Sequence, residues 1–257
     1  MTAFALPHNA FKEKLLAGEV QIGLWTSLAS AYAAEVVAGS GFDWLLLDTE
    51  HSPGAVDSVL AQLQAVAPYP VSPIVRPDTN DTVLIKRYLD IGVQTLLIPY
   101  VQTAEEARGA VAAMRYPPKG VRGVGGTTRA TVFGRVPGYA KIAEQELCLL
   151  VQIETEEALE RLEEIAVVDG VDGVFIGPND LAASLGHLGD LKHEDVIGAI
   201  VSALIRLKAM GKPAGILTPD EDFARRCLKL GATFVAVGSD IGVLARGTEA
   251  LAARFKS

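Results

Sequence analysis

Acidic side chains follow two successive apolar runs of the sequence. Glu154 ends the run CLLVQIET (148–155), and Asp180 follows the next run, GVFIGP (173–178). If both runs are neighbouring parallel strands, their ends lie about 5 Å apart, and two carboxylates there repel each other unless a proton or a cation separates them. Oxygen ligands without a nearby cysteine pair favour a hard divalent ion such as Mg²⁺ or Mn²⁺. We therefore predict a metal site at these two residues, against the alternative that both are ordinary acidic residues at helix starts.

Two other apolar runs end in charged or titratable residues. Asp48 and His51 follow the run WLLL, and Arg76 ends the run SPIV. The charge of Arg76 must emerge where its strand ends, and there it could stabilise a developing oxyanion. A neutral imidazole at His51, near a metal-bound water, could act as a general base around pH 7. The alternative for Arg76 is a structural ion pair with Asp48 or Glu50, and a lone histidine such as His51 is more often structural.

The segment Gly177-Pro178-Asn179-Asp180 has the pattern of a strand-to-helix turn, with proline near the first helical position. Backbone N–H groups at such a turn are free to bind an anion. We expect them to hold a substrate carboxylate beside the predicted metal site. Gln152, two residues before the predicted metal ligand on the preceding strand, belongs to the same group of strand ends.

The positions of the lysines and of two glycine-rich segments bear on two other kinds of chemistry, Schiff-base formation and phosphate binding. None of the ten lysines ends a predicted strand, so a Schiff base inside a barrel is not expected and metal-polarised carbonyl chemistry remains. Gly238-Ser239, after the last apolar run, occupies a region where many barrels bind phosphate, which leaves a phosphate-binding isomerase open. Residues 123–126 (GVGG) look like a phosphate loop, but no strong strand precedes them, and we interpret them as an irregular turn.

Eight continuous apolar runs alternate with longer amphipathic stretches, as expected for parallel strands covered on both faces. Helix-capping residues precede three of these stretches, at Ser30, Asp81 and Thr103. Eight strand–helix units in about 250 residues predict a single-domain (β/α)8 TIM barrel over residues 1–257, with a doubly wound open sheet as the alternative. The predicted strands cover 21–27, 44–50, 72–77, 95–101, 148–155, 173–178, 213–218 and 234–240.

Residues 115–146, between the fourth barrel helix and the fifth strand, depart from this pattern. The segment is rich in glycine, proline and arginine and too long for an ordinary connection, so we expect a functional loop or part of an interface. Arg122, Arg129 and Arg135 in this segment are candidates to meet an acidic substrate group, against the more common alternative of solvated or interface arginines.

Composition limits the class of protein. The formal net charge is −8, which argues against a nucleic-acid binder or a membrane-surface protein. No run of about 18 apolar residues and no signal-like start occurs, so we expect neither a membrane span nor secretion. Cys148 and Cys227 form no CxxC pattern, and we expect buried reduced thiols in a cytoplasmic protein. A mean hydropathy of +0.28 predicts apolar subunit interfaces.

The segments LLLDTEHSPG, IVRP, LVQIET and FIGPNDLAASLG, with FVAVGSD near the end, occur in a specific order and spacing. From about Phe11 to Phe255 the chain resembles the HpcH/HpaI family of class II, metal-dependent pyruvate aldolases. It is most similar to the 4-hydroxy-2-oxoheptanedioate aldolase branch, with the 2-dehydro-3-deoxyglucarate aldolases next. Thr49 departs from the small glycine often seen before Glu-His in this family, and the 115–146 segment also differs, which leaves the aldehyde open.

The resemblance implies roles for the candidate residues. It implies that Glu154 and Asp180 bind a divalent ion (Mg²⁺, Mn²⁺ or Co²⁺), with no organic cofactor. Arg76 matches an enolate-stabilising arginine and His51 a catalytic base; we count the neighbouring Asp48 with them. Asp90 matches a carboxylate that raises the basicity of that histidine. Because Asp90 falls at the end of a helix that leads to the opposite face of the barrel, we expect it to reach His51 only from another subunit.

For the substrate, the resemblance implies that pyruvate contacts Gln152 and the backbone at Asn179 and Asp180. It implies a hexamer in which the terminal helix is exchanged between subunits. The implied reaction is reversible cleavage of a 4-hydroxy-2-oxo acid, such as 4-hydroxy-2-oxoheptanedioate, to pyruvate and an aldehyde, such as succinate semialdehyde, through a metal-stabilised enolate. A 2-dehydro-3-deoxyglucarate-type cleavage to tartronate semialdehyde, the phosphate-binding isomerase and a non-catalytic oligomeric binding protein remain as alternatives.

Overall fold

Eight parallel strands close into a barrel in the computed structural model, which describes residues 4–256. Each strand pairs with the next, and β1 also pairs with β8, which closes the sheet. The predicted (β/α)8 barrel is therefore confirmed, and the doubly wound open sheet is wrong. The strands are β1 (Gln21–Thr26), β2 (Trp44–Asp48), β3 (Ser72–Arg76), β4 (Thr95–Ile98), β5 (Cys148–Ile153), β6 (Gly173–Ile176), β7 (Ala214–Leu217) and β8 (Phe234–Ser239). Residues 1–3 and 257 of the predicted domain lie outside the described part.

Helices cover the outside of the barrel, and several begin at the predicted capping residues. The side chains of Ser30, Asp81 and Thr103 each accept a hydrogen bond from a backbone amide three residues later. The helices are α1 (Ala10–Leu16), α2 (Ala31–Ala38), α3 (Val56–Val66), α4 (Thr82–Asp90), α5 (Ala104–Met114), α6 (Tyr139–Ile142), α7 (Glu156–Glu160), α8 (Leu162–Ala166), α9 (Pro178–Ser184), α10 (Glu194–Ala209), α11 (Glu221–Leu230) and α12 (Asp240–Ala253). Over residues 4–256, no helix is long and apolar enough to cross a bilayer.

The N-terminal end of the barrel is closed by α1, a helix that the sequence analysis did not predict. The Phe11 ring lies 6.2 Å from the Trp44 ring and 5.9 Å from the Phe234 ring, between centroids. The Trp44 and Phe234 rings leave no space for a side chain at Gly23 in β1 or at Gly215 in β7. A Cβ atom at Gly23 would lie 2.2 Å from Trp44, and one at Gly215 would lie 2.2 Å from Phe234. Aromatic rings therefore fill the barrel at the end opposite the strand carboxyl termini.

The 115–146 segment is a folded part of the molecule and packs on this same N-terminal end. It contains α6 and a short 3-10 helix over Ala143–Glu146, and it buries Ala130 and Val136. Glu146 accepts a hydrogen bond from the backbone amide of Asn9, just before α1, at 2.6 Å. The predicted irregular turn at 123–126 is confirmed, because the glycines precede further turns and no helix.

Candidate active site

A cavity of about 290 Å³ opens at the carboxyl ends of the strands, and most of the predicted site residues line it. In a (β/α)8 barrel this end is where catalytic residues collect, because the loops that follow the strands meet there. The predicted residues on its wall are Asp48, His51, Arg76, Gln152, Gly177, Pro178, Asn179 and Asp180. Glu154 lies directly behind Gln152, to which it is hydrogen bonded.

Two carboxylates hold the Arg76 guanidinium in a fixed orientation. Arg76 Nε and Nη2 donate to the two carboxylate oxygens of Asp48, each at 2.8 Å, and Nη1 lies 2.7 Å from Glu50 Oε2. The guanidinium also lies over the Trp25 ring, 4.9 Å from its centroid, and the indole Nε1 donates to Asp48. Both ion pairs that the sequence analysis offered as alternatives are thus present, and Arg76 still faces the cavity.

Burial and the positive charge of Arg76 have opposite effects on the pKa values of Asp48 and Glu50. Burial alone would raise the pKa of Asp48, but the hydrogen bonds and positive charge of Arg76, with the Glu50 amide and Trp25, lower that pKa below its usual value. Burial raises the pKa of Glu50 above its usual value, although Arg76 and His51 act against it. Arg76 therefore keeps Asp48 ionised in a site that would otherwise favour a neutral acid.

Glu154 is a buried carboxylate whose two oxygens have different partners. Gln152 Nε2 donates to Glu154 Oε2 at 2.5 Å, and the backbone amide of Tyr100 donates to Oε1 at 2.7 Å. Burial, with the negative charges of Glu50 and Asp180, raises the pKa of Glu154 to about 7 despite these hydrogen bonds. Glu154 directly follows β5, and Asp180 lies in the first turn of α9, which follows the neighbouring strand β6. That the two residues share one metal ion stays a prediction.

The donors around Glu154 fit a divalent metal ion. They are carboxylate and amide oxygens, which suit a hard cation, and the buried Oε1 atom of Gln152 has no hydrogen-bond partner among the described residues. The pocket is built closely around Glu154, because a Cβ atom at Gly177 would lie 2.6 Å from its Oε2. A cation here would remove the electrostatic penalty that raises the pKa of this carboxylate. Glu154 and Asp180 are the residues that could hold it.

His51, Asn179 and Asp180 are exposed to solvent on the cavity rim. Gly177 is the N-cap of α9 and has no side chain to cap the amides of the first turn, so these amides remain available to an anion. The rim therefore offers an imidazole, a carboxylate and free backbone donors around the fixed guanidinium of Arg76.

Asp90 does not join these residues within one chain. It is the last residue of α4, beside the N-terminal end of the barrel, whereas His51 follows the carboxyl end of β2. Arg122 is buried and donates to Asp90 at 3.1 Å, and Arg129 donates to the Ile91 carbonyl at 2.8 Å. The suggestion that these arginines meet a substrate group is thus wrong for a single chain, because the connection from α5 to β5 runs along the opposite end.

Tyr100 and Ser239 each form a hydrogen bond near the cavity. Tyr100 has φ +54°, which is rare for a residue other than glycine, and its amide is the donor that fixes Glu154 Oε1. The sequence analysis placed Tyr100 within a strand and gave it no role; only the preceding proline hinted at a strand end. Ser239, a phosphate-binding candidate, is the N-cap of α12, and its Oγ accepts from the Gly242 amide at 3.1 Å.

A model of the HpcH/HpaI aldolase/citrate lyase family matches residues 21–247. The chain belongs to this family. The predicted resemblance is therefore confirmed. As a member of the HpcH/HpaI family the protein is a carbon–carbon lyase, and this assignment favours the aldolase interpretation over the phosphate-binding isomerase.

Individual HpcH/HpaI relatives cover nearly the whole chain. A pyruvate aldolase from Rhizobium etli is 70% identical over 250 residues, 97% of this chain and 98% of the relative. A 4-hydroxy-2-oxo-heptane-1,7-dioate aldolase from Salmonella paratyphi A is 58% identical over 248 residues, 96% of this chain and 94% of the relative. The crystal structure of an HpcH/HpaI family protein from Burkholderia cenocepacia superposes with a TM-score of 0.93 at 39% identity, covering 97% of this chain and 100% of that one.

Proposed function

We propose that the protein cleaves a 4-hydroxy-2-oxo acid reversibly to pyruvate and an aldehyde. The names of the Rhizobium and Salmonella relatives support this reaction class. The observation that carries the proposal is the cavity at the carboxyl ends of the strands, which Arg76 and Asp180 both line and in which Gln152 is hydrogen bonded to Glu154. A 2-oxo acid needs both the guanidinium and the acidic residues, because its carboxylate and keto oxygens require positive charge and the electrons released by cleavage must be stabilised.

A divalent cation held by Glu154 and Asp180 would polarise the substrate's keto oxygen as a Lewis acid. Oxygen ligands suit Mg²⁺, Mn²⁺ or Co²⁺, and the positive charge of such an ion would keep Glu154 ionised at neutral pH despite its burial. Gln152 fixes the orientation of Glu154, and its free oxygen can accept from the substrate or its water. The backbone amides at Asn179 and Asp180 would bind the substrate carboxylate.

Arg76 stabilises the negative charge that develops on the substrate. Two of the five N–H donors of the guanidinium are hydrogen bonded to Asp48, and Nη1 forms an ion pair with Glu50. The other N–H groups can donate to the substrate oxygen. Because these carboxylates hold the side chain before substrate binds, it need not reorganise during the reaction. Asp48 is therefore a positioning residue that acts through Arg76.

His51 is the proposed base at the rim. It removes the proton from the 4-hydroxyl group; the C3–C4 bond then breaks, its electron pair forms the enolate of pyruvate, and the aldehyde leaves. The enolate carbon then takes a proton to give pyruvate. Asp90 from a second copy of the chain is the proposed partner of His51, because within one chain the two lie at opposite ends of the barrel.

Deuterium exchange into pyruvate tests the enolisation step without knowledge of the aldehyde. The methyl proton signal of pyruvate in D₂O should disappear when enzyme and Mg²⁺ or Mn²⁺ are both present, and should persist after chelation. The variant Arg76→Ala should exchange more slowly. Exchange that survives exhaustive chelation, together with borohydride trapping of pyruvate, would contradict the proposal and indicate a Schiff base. Succinate semialdehyde and tartronate semialdehyde, added in turn with pyruvate, distinguish the two aldolase specificities.

We also propose an oligomer, a hexamer with an exchanged terminal helix, in the cytoplasm. Along α12, Asp240 is the one buried residue, whereas Ile241, Val243, Leu244 and Leu251 are each about half exposed or more. Such an apolar helix face supports a partner subunit that covers it. The buried free thiols of Cys148 and Cys227 support a reducing compartment. Light scattering of the intact protein gives the subunit number, and deletion of α12 should reduce it.

A further inference from the structure

Two histidines and an aspartate converge between α9 and α10, outside the cavity described above. The rings of His187 and His193 are stacked, with centroids 3.5 Å apart and planes inclined by 15°. His187 Nε2 lies 3.0 Å from Asp195 Oδ2, and His193 Nδ1 lies 3.4 Å from the same oxygen. All three side chains retain partial exposure to solvent. The cluster thus brings two imidazoles and a carboxylate together within reach of solutes.

The separations between these atoms match the coordination shell of a small metal ion. Bonds of about 2.0–2.1 Å to a tetrahedral ion place neighbouring ligand atoms about 3.3 Å apart. The two nitrogen–oxygen distances already lie near this value, and the three ligand atoms all lie within 4.8 Å of one another. Because the two rings are stacked and nearly parallel, a bound ion also requires one ring to rotate so that both nitrogen lone pairs point at it.

The hydrogen bond that His193 Nδ1 accepts leaves no proton between this nitrogen and the Asp195 carboxylate. His193 Nδ1 accepts a hydrogen bond from the Asp195 backbone amide at 3.3 Å, as the N-cap of α10. An imidazole nitrogen that accepts carries no proton and has one lone pair, so a metal ion at His193 Nδ1 replaces the Asp195 amide as its partner. Two acceptors that face each other repel, and a cation between them removes that repulsion.

The backbone holds the histidines in place. The His187 amide donates to the Ala182 carbonyl at 2.8 Å, the Asp190 amide donates to the His187 carbonyl at 2.9 Å, and the His193 amide donates to the Asp190 carbonyl at 3.2 Å. Gly189 provides the left-handed residue of this turn, with φ +81°. Because the turn is ordered by its own hydrogen bonds, metal binding orders few additional groups.

We propose that His187, His193 and Asp195 bind a transition-metal ion of the Zn²⁺, Ni²⁺ and Cu²⁺ class, with water completing the coordination. Two imidazoles select these ions over Mg²⁺, which prefers oxygen. The site therefore differs in chemistry from the oxygen ligands Glu154 and Asp180. Bound metal links the turn after α9 to the first turn of α10 and stabilises the folded chain.

Calorimetric titration with Zn²⁺ tests the site in a Glu154→Gln background, which removes the other candidate metal centre. We expect one Zn²⁺ per chain. His187→Phe keeps an aromatic ring against His193 and leaves the α10 cap intact, and Asp195→Asn keeps the size of the side chain; each should weaken Zn²⁺ binding at least about tenfold. His8→Ala is the matched control, because His8 also pairs with acidic residues, Glu13 and Glu146, but with a different ring nitrogen for each; it should bind Zn²⁺ normally.

Two further measurements fix the location and separate binding from folding. Anomalous diffraction at the zinc edge should place the ion among the three side chains. Zn²⁺ should raise the thermal midpoint of the Glu154→Gln protein and leave that of its His187→Phe derivative unchanged, while the midpoints without metal stay equal. Zn²⁺ binding that is equal in both proteins, or no binding tighter than about 100 µM, would overturn the proposal and leave His193 as a helix cap only.

Discussion

Replacement of Arg76 by alanine tests whether this side chain acts on the substrate or only on the structure. Arg76 is 5% exposed and its principal partner, Asp48, is 2% exposed. The substitution removes the positive charge from the cavity and leaves Asp48 and Glu50 as neighbouring carboxylates without a cation. Both the stability and the turnover of the enzyme should therefore change, by different mechanisms.

The stability effect can be worked out from the buried ion pair. Removing one partner of such a pair lowers the free energy of unfolding by about 3–5 kcal/mol. Because Arg76 is what lowers the pKa of Asp48 against burial, this pKa should rise in Arg76→Ala. The variant should therefore regain stability as the pH falls from 8 to 5. The wild-type protein has the opposite dependence: it keeps the contribution of Asp48 above the unfolded pKa of 3.8 and loses it below.

Turnover should fall for a separate reason. Loss of one preorganised donor to an oxyanion reduces kcat by about 10²–10³-fold, or about 2.7–4 kcal/mol of barrier. The assay is steady-state release of pyruvate from 4-hydroxy-2-oxoheptanedioate, alongside urea unfolding at pH 5 and pH 8. The double variant Arg76→Ala/Asp48→Asn removes one unpaired carboxylate, so it should recover stability while kcat stays low. Arg76→Lys keeps the positive charge but loses the planar guanidinium. Its kcat and its stability should lie between those of the wild type and those of Arg76→Ala.

Recovery of turnover together with stability in the double variant would refute this reasoning and make Arg76 a purely structural residue. A single variant whose kcat lies within about threefold of wild type, well short of the loss of one oxyanion donor, would do the same. Pyruvate affinity should survive in Arg76→Ala, because the proposed contacts to the substrate carboxylate lie at the start of α9.

The remaining predictions concern Glu154 and three glycines. In metal-free protein the raised pKa of Glu154, about 7, should lower the free energy of unfolding by roughly 3 kcal/mol as the pH rises from 5 to 8; urea titration measures this, and Glu154→Gln should flatten it. Gly177→Ala should weaken Mn²⁺ binding at least about tenfold in a spin-resonance titration with unchanged circular dichroism, because its Cβ would lie 2.6 Å from Glu154 Oε2. Gly23→Ala should lower stability in thermal unfolding by about 1–3 kcal/mol or more, since the added atom meets the Trp44 ring. In the same assay Gly109→Ala on the exposed face of α5 is the control and should raise stability by about 0.5–1 kcal/mol.

The barrel was predictable because its signals are local. Continuous apolar runs mark the buried strands, and Thr103 with Glu106 forms the capping box that begins α5. The sequence analysis did not identify α1, because its helical signal is short and its stability depends on contacts between Phe11 and rings distant in the chain. After Thr155 the helical segment is interrupted at Arg161, where α7 ends before α8.

The site was predictable only to the extent that strand ends converge. The rule that places polar side chains after apolar runs brought Asp48, His51 and Arg76 to one cavity. Which carboxylates pair with Arg76 depends on side-chain geometry at the ends of β2 and β3. The left-handed backbone of Tyr100 carries no sequence signal, because only its surroundings stabilise a conformation that costs roughly 1–3 kcal/mol. The placement of Asp90 followed from topology, since α4 runs from one end of the barrel to the other.

The aromatic rings at the bottom of the cavity determine how the substrate enters and how the products leave. Over the described residues, Phe11, Trp44 and Phe234 occupy the barrel axis beneath the cavity, so the pocket is blind. The substrate and both products must therefore pass through the same opening, at the carboxyl ends of the strands. In the proposed binding mode pyruvate sits deeper, against Glu154, and the aldehyde lies toward solvent. The aldehyde should therefore depart first and pyruvate last, so that in the synthetic direction pyruvate must enter before its acceptor.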